Sequence, residues 1–181
     1  MKKNDTRWAE IKFFNPETDK MLSCSCCGQC LIRYDFIKAL DKFRELIGIP
    51  IIITSGYRCP EHNKSKEVGG LDKYDNTGNH QMSYHCHCIA ADFSISNKSL
   101  LHIVYKIAIS SGLFKGIGLS LAKGFIHADI GSTFERYWIY EFTGGTRILN
   151  GKAVNDIMSK GNEYYLKQLK SPDPEKWSKW D

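Results

Sequence analysis

Residues 83–92, Ser83-Tyr84-His85-Cys86-His87-Cys88-Ile89-Ala90-Ala91-Asp92, run from a polar loop into an apolar strand. The strand continues as Phe93-Ser94-Ile95, and its small residues imply close packing against neighbouring structure. A carboxylate in the middle of such a strand is costly to bury unless something compensates its charge. A metal ion would do so. His85 stands seven residues before Asp92 and offers an imidazole from the loop. A catalytic zinc usually takes three protein ligands and keeps a fourth position for water. The third nitrogen is available from His127, within the apolar run Phe125-Ile126-His127-Ala128-Asp129-Ile130.

Working outward, Phe36, Ile37, Leu40, Phe43, Leu46 and Ile47 recur every three or four residues. That spacing predicts a helix over 36–47 with Asp35 as its N-cap, stopped by Gly48 and Pro50. The β-branched run Ile51-Ile52-Ile53-Thr54 predicts a buried strand. Residues 61–82 are polar and glycine-containing and read as a long loop, a kind of segment that is often functional. A second helix is expected over 99–111, ended by Gly112, and then Gly116-Ile117-Gly118 as a turn or tight strand start. Strands follow at 125–130 and 137–140. The connections are too short for a repeated strand–helix–strand array. The fold class is therefore α+β, a small mainly antiparallel sheet flanked by helices.

The chain has 181 residues, 42% of them apolar, enough for one well-formed core. Residues 1–149 are read as that domain, and 150–181 as a C-terminal extension, a docking helix plus tail. The net charge of +5 favours an anionic partner, a cell-wall polymer or a nucleic acid, without choosing between them. No run of lysine or arginine marks a nucleic-acid arm, so a nucleic-acid-binding module is disfavoured. No stretch approaches the roughly 18 apolar residues of a membrane span. The polar start, Met1-Lys2-Lys3-Asn4-Asp5, is not a signal peptide, so a protein made soluble in the cytoplasm is expected.

Seven cysteines is a high and odd number. Cys24, Cys26, Cys27 and Cys30 fall within seven residues, which is the chemistry of a structural zinc site, with Cys59 as a further candidate. Packed free thiols or a disulfide to Cys59 fit equally well, and the weight of the sequence is against a second metal. Cys86, His87 and Cys88 put further soft ligands beside the first site. His62, His80 and His102 stand in no such context and read as ordinary residues.

The pattern Ser-x-His-x(6)-Asp, followed by a Phe-Ile-His-x-Asp strand, resembles the zinc D-Ala-D-Ala carboxypeptidases and related peptidoglycan peptidases, which share the Hedgehog/DD-peptidase fold. Upstream, Ser55-Gly56-Tyr57-Arg58 with Asn63 and Val68-Gly69-Gly70 is similar to the same family, as are Gly116-Ile117-Gly118 and Arg136-Tyr137-Trp138. The resemblance covers about residues 22–142. It implies one zinc ion on His85, Asp92 and His127. It also implies Arg58 as the cation gripping a substrate carboxylate or carbonyl, and Ser83 hydrogen-bonding nearby to orient substrate or loop.

Two positions depart from the family pattern. The acid that several branches carry three residues before the last ligand is here Gly124, so Asp129 is expected to serve as catalytic base. A partner of His127, or a ligand in its own right, are the other roles open to Asp129. Cys88 stands where the family usually has glycine. The implied function is a zinc metallopeptidase cutting peptide stems of bacterial peptidoglycan, as carboxypeptidase or endopeptidase, in keeping with a phage-encoded lysis or tail enzyme. The rival is a catalytically silent zinc domain that recognises cell wall or a protein partner.

Overall fold

The computed structural model describes residues 1–66, 68, 72–74, 80–131, 133–140 and 146–149. Helix α1, Tyr34–Ile47, buries Phe36, Ile37, Leu40 and Phe43, the stripe that the three-and-four spacing marks out. Its N-cap is Arg33. Asp35 lies two residues further on, in the first turn, where a carboxylate suits the positive end of the helix dipole. Gly48 closes α1 in the left-handed conformation, φ 69°, which glycine adopts without penalty.

Strand β1, Ile52–Ser55, leads into the turn 56–59 and then α2, Pro60–Lys64, a short helix with proline in its first turn. A small hairpin follows, β2 Asp72–Tyr74 against β3 His80–Met82. The stretch 61–82, expected as loop throughout, thus holds a helical turn and two three-residue strands. Both are too short to leave a hydrophobic period in a polar sequence. Beyond them come β4 Ala90–Ser94, α3 Leu101–Ser111, β5 Gly116–Ser120, β6 Phe125–Asp129, β7 Arg136–Tyr140 and β8 Thr146–Leu149. Gly116-Ile117-Gly118, read as a turn or tight strand start, opens β5. The extension at 150–181 lies outside the described residues.

The main sheet has six strands in the order β1-β4-β6-β5-β7-β8. Every neighbouring pair is antiparallel except β5 with β7. This is the α+β architecture with a mainly antiparallel sheet. Successive side chains on a strand point to opposite faces. One face carries Ala91, Phe93, Ile117, Leu119, Ile126, Ala128 and Ile139 into a core shared with α1 and α3. Phe43 sits at its centre, its ring 5.9 Å from Phe93 and 5.4 Å from Phe114. The opposite face carries Asp92, Gly116, Gly118, His127, Asp129, Arg136 and Trp138. No helix among the described residues is long and apolar enough to cross a membrane.

Phe43 is fully buried and touches two other rings. Phe43→Ala should therefore cost about 3–5 kcal/mol through lost transfer and cavity terms. Ile52→Ala, at a side chain 48% exposed, should change stability by no more than about 0.5 kcal/mol. Urea unfolding of the two variants beside the wild type measures both.

Candidate metal centre

Strand register assembles the site in two rows across the face opposite the core shared with α1 and α3. In one row Asp92 pairs with His127, His127 with Gly118, and Gly118 with Trp138. In the next, Ala90 pairs with Asp129, Asp129 with Gly116, and Gly116 with Arg136. The two glycines are bare by necessity. A Cβ on Gly118 would stand 2.3 Å from the Trp138 indole, and one on Gly116 would stand 2.0 Å from Asp129 Oδ2.

His85 joins from the turn before β4. Ser83 Oγ accepts its backbone N–H at 3.4 Å, so Ser83 shapes the loop that aims the imidazole. The loop closes through Cys88, which holds φ 66° although it is not glycine. The glycine usual in the resembling family suits that left-handed geometry, and the chain tolerates cysteine there with Arg33 N–H bonded to its carbonyl at 2.8 Å.

Three atoms converge. His127 Nδ1 lies 2.8 Å from Asp92 Oδ1, and His85 Nε2 lies 3.4 Å from Asp92 Oδ1 and 3.3 Å from His127 Nδ1. Ligands bound tetrahedrally to zinc at about 2.0–2.1 Å are separated by about 3.3 Å, so this triangle matches one face of such a site. All three side chains are buried. The remaining imidazole nitrogens are fixed from outside: His85 Nδ1–H donates to Gly56 O at 2.7 Å, and His127 Nε2–H donates to Asp129 Oδ2 at 3.1 Å. Those bonds set the tautomers that turn both inner lone pairs towards one point.

The electrostatics agree. Burial depresses the pKa of His85, against the pull of Asp92, so it stays a neutral donor. Burial also opposes charge on His127, but hydrogen bonds to Asp129 and Asp92 outweigh it and hold its pKa at about 9. Burial would raise the pKa of Asp92, yet the field of His85 and hydrogen bonds from His127 and His85 keep it ionised, well below the usual range. The demand for positive charge between Asp92 and His127 is the one a divalent cation satisfies, releasing the competing proton.

Arg58 Nη2 donates to Asp92 Oδ2 at 2.6 Å and its Nε to Ser55 Oγ at 2.8 Å. Its guanidinium therefore anchors the outer oxygen of Asp92, a contact unseen from sequence. Asp129 is fully buried. Oδ1 accepts from Gly131 N–H at 3.0 Å, and Arg136 Nη2 lies 3.2 Å from Oδ2. Its carboxylate faces the far nitrogen of His127. Arg136, stacked 5.1 Å above the Tyr84 ring, was not singled out as a site residue, since its partner is defined only once β6 and β7 share β5. Trp138 stands 5.2 Å from His127 and walls the site. Gly124 turns between β5 and β6 at φ 68°, a left-handed conformation that glycine adopts without penalty.

Among the described residues, His, Cys, Asp and Glu ligand atoms gather in two groups: His85 with Asp92 and His127, and Cys24 with Cys27 and Cys59. Cys86, His87 and Cys88 belong to neither. The four-thiol set Cys24, Cys26, Cys27 and Cys30 is not assembled. Cys26 is exposed, and Cys30 is buried with burial raising its pKa.

A family model described as Peptidase M15 matches residues 17–129, which include the turn of Arg58 and all three converging side chains. The chain belongs to this family, a zinc D-Ala-D-Ala carboxypeptidase-like group of metallopeptidases. No curated protein and no solved structure matches it.

Outer partners of metal-bound histidines typically contribute 10–100-fold to metal affinity. Asp129→Ala should therefore weaken zinc binding by about that factor, and Asp129→Asn, which keeps an acceptor for Nε2–H, by less. Gly116→Ala, whose new methyl displaces the same carboxylate, should resemble Asp129→Ala. Competition against a chelator of known affinity ranks the three.

Proposed function

We propose that this member of the Peptidase M15 family is a zinc metallopeptidase that hydrolyses peptide stems or crosslinks of bacterial peptidoglycan, with the metal on His85 Nε2, Asp92 Oδ1 and His127 Nδ1. The observation that carries the proposal is the triangle of 2.8, 3.3 and 3.4 Å between those atoms, with each outer imidazole nitrogen held by its own acceptor. Bound there, zinc supplies a water of lowered pKa and polarises the scissile carbonyl. The protein's part is positional. Gly56 and Asp129 lock the imidazoles, Arg58 and Ser55 lock Asp92, and Trp138 shields one side. Arg58 has five N–H donors, and those beyond its bonds to Ser55 and Asp92 suit a substrate carboxylate or carbonyl. Ser83 acts on the loop of His85. Asp129 serves as a positioning residue for His127 rather than as the base.

The peptidoglycan assignment draws on the family resemblance and on the net positive charge, which suits an anionic polymer. The second reading, a zinc domain that binds without turnover, gains from one observation: the carboxylate expected as base is committed behind His127.

Incubation with purified peptidoglycan should release peptide fragments detectable by mass spectrometry, with one equivalent of zinc at this centre. His85→Ala should lose both that metal and the release, whereas Asp129→Asn, keeping an acceptor for His127, should retain partial activity. Zinc-loaded protein that cuts no stem or crossbridge would hand the function to the binding reading.

A further inference from the structure

We infer that Cys24, Cys27, Cys59 and His62 bind a second, structural zinc ion, on the far side of the Arg58 turn from the first. Two short arms supply the ligands. Cys24 and Cys27 form one Cys-x-x-Cys, and Cys59 and His62 form a Cys-x-x-His across the start of α2. Such paired short spacings characterise structural zinc modules with a closed set of four protein ligands.

The sulfur atoms of Cys24, Cys27 and Cys59 lie within 4.8 Å of one another. Cys24 Sγ and Cys59 Sγ are 3.6 Å apart, and His62 Nδ1 lies 3.4 Å from Cys24 Sγ. Thiolates bound tetrahedrally at about 2.3 Å stand about 3.7 Å apart, so the pair is spaced as zinc ligands and too far apart for a bonded disulfide. The surroundings are those of metal thiolates. Cys59 N–H points at Cys24 Sγ at 3.4 Å, and His62 N–H points at Cys59 Sγ at 3.4 Å. The outer nitrogen of His62 lies 3.4 Å from Ser25 Oγ, leaving Nδ1 turned to the sulfurs.

Position explains what the ion would do. Gly56 N–H bonds to Met21 O at 2.7 Å and Tyr57 N–H to Leu22 O at 3.2 Å, so residues 21–24 run against the turn. Gly56 could not carry a side chain there, since a Cβ would stand 2.8 Å from the Leu22 backbone. The same turn offers the carbonyl that holds His85 and the guanidinium that holds Asp92. A metal clamping 24–27 to 59–62 fixes both ends of this contact. Cys24 and Cys59 are buried while Cys27 is exposed and His62 half-buried, so the clamp runs from the edge of the core to the surface.

The test is metal content of protein purified under reducing, chelator-free conditions, with cobalt spectra of the same variants. Wild type should hold two zinc ions per chain. His85→Ala should keep one, and its cobalt form should show the sulfur-to-cobalt charge-transfer band of thiolate ligation. Cys27→Ser and His62→Ala should each lose that ion and melt at lower temperature, while Cys26→Ser keeps both ions. If Cys27→Ser does not fold, the cobalt spectrum of His85→Ala decides alone. Metal-free His85→Ala without the band, or a Cys24–Cys59 disulfide in freshly prepared wild type, overturns the inference. Because His85→Ala isolates the second site, a thiolate-bound ion in a protein that cuts no peptide would leave this inference standing while the peptidase reading fell.

Discussion

The pairing of Asp92 with His127 across strands β4 and β6 is the constraint on which the rest of the site depends. It holds two candidate ligand atoms 2.8 Å apart on the face opposite the core while Phe93 and Ile126, their neighbours in the same ladder, fill the core. A shift of one residue in either strand would reverse both assignments, placing a carboxylate or imidazole in the core and an aromatic or aliphatic side chain in the site. Burying the unpaired charge alone would cost several kcal/mol. The hydrophobic pattern that folds the sheet and the polar pattern that makes the centre are thus one register, and neither can be altered without the other.

From that pair, opposite charges alternate outward. Arg58 lies against Asp92, Asp92 against His127, His127 against Asp129, and Asp129 against Arg136. Each carboxylate is flanked by a donor on either side, so the oxygens of both are satisfied. The row needs space, and the space comes from missing side chains. Gly116 admits the Asp129 carboxylate and Gly118 the Trp138 indole. Gly131 admits the Tyr84 ring on which Arg136 stacks. These glycines act through room, not through backbone freedom.

Much of this was legible in the sequence. The three-and-four stripe of α1 and the apolar strands at β4 and β6 predicted the helix, the sheet and the face on which His127 lies. His85, Asp92 and His127 were readable because an acid in an apolar strand demands a counter-charge. Contacts set by strand order rather than sequence distance were hidden. Arg136 meets Asp129 only because β6 and β7 both flank β5, and no local spacing encodes that. The approach of His62 to Cys24 was hidden for a similar reason: the two lie 38 residues apart, although the matching three-residue steps at 24–27 and 59–62 were visible. The hairpin at 72–74 and 80–82 was invisible because two three-residue strands carry no usable period.

Asp129 shows where period-two reasoning stops. Residues 127 and 129 of one strand do share a face, and the sequence gives no reason to separate their tasks. A shared face, however, brings two side chains together without aiming them at a common target. His127 presents Nδ1 to Asp92 across the ladder, which leaves Nε2 directed along its own strand, and the carboxylate two residues on is the group within reach of it. Arg136 and the Gly131 N–H then take up the remaining capacity of that carboxylate. A fully buried group with every oxygen engaged is well suited to hold a ligand's tautomer and poorly suited to exchange protons with water in an open coordination position. The spacing of the histidine and the aspartate thus places a carboxylate where it holds the orientation of the imidazole.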